Sequence, residues 1–67
     1  MSPEARYQEM LLRRLQRLID VREARVGDLN DTGLRLLDVS IRATEADCRW
    51  AGCGAAARRI TWRSVGL

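Results

Sequence analysis

Histidine, lysine and phenylalanine are absent from this 67-residue chain, and proline occurs once. Without histidine, the side chain that most often acts as a general base near neutral pH is missing, and so is the commonest transition-metal ligand. Cys48 and Cys53 are the only thiols; a zinc site takes four ligands, so only a dimer contributing both thiols from each chain would make one. If both sat on one helix, the C-x4-C spacing would put their Cα atoms about 8–9 Å apart, beyond the reach of a disulfide. Cys48 then reads as a small buried apolar residue, and Cys53 as a thiol near a helix end, in a reducing compartment. No apolar run approaches the ~20 residues needed to cross a bilayer. The start, MSPEARYQEM, has no apolar signal core, so a cytoplasmic location is expected. No nucleophile stands at a recognisable spacing from a base, and Gly27, Gly33, Gly52 and Gly54 form no phosphate-cradling loop. No catalytic residue, cofactor or metal is expected, and the chain does not read as an enzyme.

Arginine is what the chain has in excess: twelve residues, beside eight alanines. Both residues have GC-rich codons, so the skew predicts a GC-rich, bacterial genome and discounts many arginines as chemistry. The formal charge of +3 is unevenly placed. Residues 1–53 hold nine arginines against nine acids, which cancel, whereas residues 54–67 hold Arg58, Arg59 and Arg63 and no acid. The electrostatic asymmetry therefore lies in the last fourteen residues.

Helix signals open the sequence. Ser2 is a good N-cap, Pro3 suits the first helical position and Glu4 favours the positive end of the helix dipole. Tyr7, Leu11, Leu15, Leu18 and Val26 recur at helical intervals, and Glu9 and Arg13 form an i, i+4 pair. Gly27 suits the position just past a helix end, so a first helix is predicted from about residue 3 to 26. The second runs from about 31 to 51, with Leu34, Leu37, Ile41 and Cys48 on one face. Asp38–Arg42 and Glu45–Arg49 are its expected i, i+4 pairs, and Gly52 and Gly54 stop it.

The connection contains 28-DLNDTG-33, which matches the opening of an EF-hand calcium loop. The match fails where it matters most, because the bidentate glutamate of position 12 is here Val39. With Asn30 as N-cap and Leu29 and Leu34 as a hydrophobic staple, every residue of the stretch is accounted for as a turn over 27–30. Two helices of matched length and a short connection predict an all-α, antiparallel helical hairpin over residues 1–53, followed by a basic segment over 54–67, a short helix or tail.

Each helix is apolar around more of its circumference than one hairpin seam needs. On helix 1, Leu11, Leu15 and Leu18 are expected at the centre of the buried arc, with Met10 and Val21 on one flank and Leu12 and Ile19 on the other. Helix 2 has a second stripe of Leu36, Val39, Ala43 and Trp50. The tail offers only Ile60, Trp62, Val65 and Leu67 as large apolar residues, too few to cover both. The surplus predicts self-association into a dimeric four-helix bundle, with Leu12, Ile19, Leu36, Val39 and Trp50 as the protein interface. The expected function is that of a small regulatory interaction protein working through helix–helix contacts. The alternative is a nucleic-acid-binding module in which Arg58, Arg59 and Arg63 take phosphates and Trp62 stacks on a base.

Overall fold

The computed structural model describes residues 2–25 and 27–64, apart from the side chains of Arg63 and Ser64. Three helices follow one another: α1 (Pro3–Arg25), α2 (Asp31–Trp50) and α3 (Gly54–Ser64). No strand occurs among the described residues. Val26, expected to close the first helix, lies outside the described residues, as do Val65 and Leu67.

The predicted caps explain where the helices begin. The backbone N–H of Ala5 donates to the Ser2 hydroxyl at 3.2 Å. The N–H of Gly33 donates to the Asn30 side-chain oxygen at 2.8 Å, and Asn30 itself is extended, as an N-cap must be. The calcium-like stretch is thus the reversal between α1 and α2. Contacts at both ends fix the helices as antiparallel. Near the start of α1, the Gln8 side-chain amide donates to the Ala51 carbonyl just past the end of α2. Near its other end, Arg22 pairs with Asp38 at 3.0 Å.

The turn from α2 into α3 is a Schellman motif. Gly52 has φ +86°, the left-handed region where a side chain would be strained. Its N–H donates to the Arg49 carbonyl at 3.2 Å, and the N–H of Cys53 reaches the Cys48 carbonyl at 2.8 Å. Gly54 is needed for a different reason: a Cβ there would lie 2.8 Å from Cγ of Arg49. The chain then runs back along α2. Thr61 of α3 donates to the Glu45 carboxylate at 3.3 Å, so α3 is antiparallel to α2 and points the same way as α1.

The result is a three-helix bundle whose third member is half the length of the others. Leu11, Leu15 and Ile19 from α1, Ile41 and Cys48 from α2, Cys53 from the turn and Ala57 from α3 make the core. Leu12, Leu18, Ala51 and Ile60 pack around it. Thr44 is the buried polar residue among them, and its hydroxyl is satisfied by the Ser40 carbonyl at 2.8 Å. The centre of the α1 arc is therefore Leu15 with Leu11 and Ile19, rotated from the expected Leu11–Leu15–Leu18 line. The third helix causes the rotation, because two neighbours must share the arc instead of one. Two ion pairs also differ from expectation. Asp38 is held by Arg22 across the helices, and Glu45 takes the Thr61 hydroxyl, while Glu9–Arg13 forms as predicted, at 2.6 Å. Among the described residues, no helix is long and apolar enough to cross a membrane.

Candidate functional site

Helix α2 has two apolar faces on opposite sides. Ile41, Thr44 and Cys48 point into the core. At about 100° per residue, Leu36, Val39, Ala43 and Trp50 fall on the far side. Leu36 and Val39 are each 64% exposed, and Trp50 is 91% exposed. Neither α1 nor α3 reaches this face. Half-buried Ala46 extends it, so that Leu36, Val39, Ala43, Ala46 and Trp50 recur at alternating steps of three and four. That is the a/d spacing of a coiled-coil seam. On one flank stand Arg35, Arg42 and Arg49, and on the other Ser40 and Asp47, all exposed. Toward the α2 C-terminus, Ala46, Arg49 and Trp50 line a shallow hollow of about 260 Å³.

The other two residues expected at a protein interface are placed differently. Ile19 is 4% exposed, a member of the chain's own core. Leu12 is half-buried against that core. Ile19 lines a hollow together with Ile41 and Thr61, so the flank of α1 expected to meet a second molecule instead faces α2 and α3. The opposite flank, Met10 and Val21, remains exposed.

The basic candidates lie on the outer side of α3. Arg58 and Arg59 are exposed, and Trp62, one turn further on, is 58% exposed. Helical spacing puts the indole over the turn that carries both guanidiniums. Arg58 also shares a hollow of about 140 Å³ with Glu45 and Arg49, in the groove between α2 and α3. The Arg63 side chain lies outside the described residues.

The two cysteines are neighbours across the Schellman turn rather than partners along one helix. Both are buried and reduced. Burial, reinforced by the neighbouring Cys53 thiol and by the carboxylates of Asp47 and Glu45, pushes the Cys48 thiol up to about 11. A thiol held neutral in this way is a packing group and a poor nucleophile. Among the described residues no cluster of three or more thiol, carboxylate or imidazole groups could hold a metal ion.

Ala46 and Asp47 are residues of the α2 face that the sequence pattern does not single out, and Arg42 and Arg49, expected as partners of Asp38 and Glu45, stand on its flank instead. The signal that marks them is the seven-residue repeat of Arg35, Arg42 and Arg49, which the 3.6-residue helical period obscures. Comparison with protein-family models, with curated proteins and with solved structures finds no match for the chain.

Proposed function

We propose that this chain is a small non-enzymatic interaction protein of regulatory type, working as a homodimer through helix–helix contacts on the outer face of α2. One observation carries the reading: Leu36 and Val39 toward one end and Trp50 at the other, linked by Ala43 and Ala46, form an exposed stripe on a helix whose opposite face already fills the core. Burying such side chains is worth roughly 1.5–3 kcal/mol each, and the helix that presents them is already ordered, which lowers the cost of association. Because Ile19 is spent on the intramolecular core, the dimer of this reading joins two three-helix units along α2 rather than merging two bare hairpins into a four-helix bundle. The setting proposed is a bacterial cytoplasm.

Solution mass tests the reading directly. Light scattering on a sizing column should give a dimer whose mass is insensitive to salt. Leu36→Asp and Trp50→Asp should each yield a helical monomer. A wild-type monomer at every concentration would overturn the homodimer.

A second reading is supported by Arg58, Arg59 and Trp62 on one side of α3: contact with a nucleic acid through phosphates and base stacking. Such a complex weakens steeply with salt and is lost when Arg58 and Arg59 become Gln, whereas an α2-mediated contact survives both.

A further inference from the structure

We propose that the occupant of the α2 face is the same face of a second copy, lying parallel to it in register, with Arg42 of each chain against the partner's Asp47. The inference rests on the reading just given, and adds orientation and register to it.

The arrangement of charges along the face favours this pairing. With Leu36, Ala43 and Trp50 at a positions and Val39 and Ala46 at d positions, the flanking g positions are Arg35, Arg42 and Arg49, and the e positions are Ser40 and Asp47. In an antiparallel pair, g faces g and e faces e. That arrangement would lay three guanidiniums against three more and leave the aspartate opposite a serine. In a parallel pair each g position meets the partner's e position five residues on. Arg42 then meets the partner's Asp47 twice by symmetry, Arg35 meets Ser40, and no arginine opposes another. Parallel pairing removes a like-charge row and gains two ion pairs from the same side chains.

Both ionic residues are free to make this contact. Arg42 and Asp47 are exposed, and among the described residues neither forms an ion pair within the chain. Three acids share a hollow with Arg42: Asp38 and Glu45 are already engaged, by Arg22 at 3.0 Å and by Thr61 at 3.3 Å, and Glu23 of α1 forms no ion pair with Arg42. The apolar row suits a close pair as well. Ala43 and Ala46 in the middle let the backbones approach, and the hollow of about 260 Å³ beside Trp50 gives the second indole room at the same end.

The test uses full-length chains carrying Arg42→Glu, Asp47→Arg or Leu36→Asp, followed by equilibrium sedimentation, with circular dichroism confirming that each variant is folded. In the parallel arrangement Arg42→Glu and Asp47→Arg each weaken self-association, by roughly tenfold for two pairs turned repulsive. An equimolar mixture of those two variants regains wild-type affinity, since the mixed dimer restores both ion pairs, and native mass spectrometry finds that mixed dimer in excess. If Arg42→Glu tightens the dimer or leaves it unchanged, or the mixture shows no preference, the parallel register is wrong. Loss of the dimer with Leu36→Asp in that same experiment keeps the α2 face as the contact. A wild-type chain that stays monomeric at all concentrations overturns both the register and the reading beneath it.

Discussion

Cys48 and Cys53 stand at the two positions that a Schellman turn brings together, with the Cys53 N–H donating to the Cys48 carbonyl at 2.8 Å and both thiols buried. An apolar contact between these two positions commonly accompanies this turn, so the C-x4-C spacing has a structural origin. It is the spacing of a helix stop, filled by two small, soft side chains.

That environment carries a pH signature. The Cys48 thiol is raised from 9.0 to about 11, so the folded state favours its protonated form. The associated stability is fully present below pH 9, and is lost as pH rises from 9 to about 11, where the unfolded thiol ionises and the folded one resists. A shift of this size corresponds to about 2–3 kcal/mol. Urea unfolding midpoints should fall over that window, and Cys48→Ala should flatten the fall while lowering stability at neutral pH.

Gln8 ties the start of α1 to the end of α2 through the Ala51 carbonyl, a contact between residues 43 apart in sequence. Gln8→Ala removes the donor from a half-buried carbonyl at the point where the chain turns into α3. The expected cost is about 1 kcal/mol, read as a lower denaturation midpoint with unchanged helicity. Hydrogen exchange should quicken first at the α2–α3 turn.

Gly52→Ala tests the turn itself. At φ +86° an alanine is strained, and the left-handed backbone costs roughly 1–2 kcal/mol. Thermal unfolding should report that loss. Gly27→Ala is the control, because a Cβ there meets nothing within 4 Å.

Asn30→Ala should cost about 1 kcal/mol by removing the α2 cap, while Asn30→Asp should retain most of the stability. Both variants are compared by urea titration.

Much of the fold is legible in the residues themselves. The beginnings of α1 and α2 follow from Ser2, Pro3 and Asn30, whose chemistry is local and strong. The antiparallel pairing follows from the matched lengths of the helices and the short connection between them. The outer stripe of α2 is legible as well, because Leu36, Val39 and Trp50 follow the same helical period as Ile41 and Cys48 but half a turn out of phase. What escapes is the placement of α3. Both flanks of α1 are apolar, Met10 and Val21 on one side, Leu12 and Ile19 on the other, and nothing local distinguishes them. The choice depends on where the chain heads after the left-handed residue at Gly52, a directional property that no hydrophobic pattern encodes. For the same reason Ile19 reads in the sequence as a contact with a second molecule and is core within the chain's own fold. The third helix covers so much with so few large side chains because Cys53 and Ala57 are small, and allow close packing in place of bulk.

The residues that α2 turns inward and those it turns outward are disjoint sets: Ile41, Thr44 and Cys48 against Leu36, Val39, Ala43 and Trp50. In the proposed dimer, foldability and recognition are thus written in separate registers of one helix. If that proposal holds, substitutions along the outer row rewire partner choice without renegotiating the packing that keeps the chain folded. On the same proposal, drift or deliberate design generates a set of mutually non-pairing sister proteins on this one scaffold, each differing at a handful of outward positions.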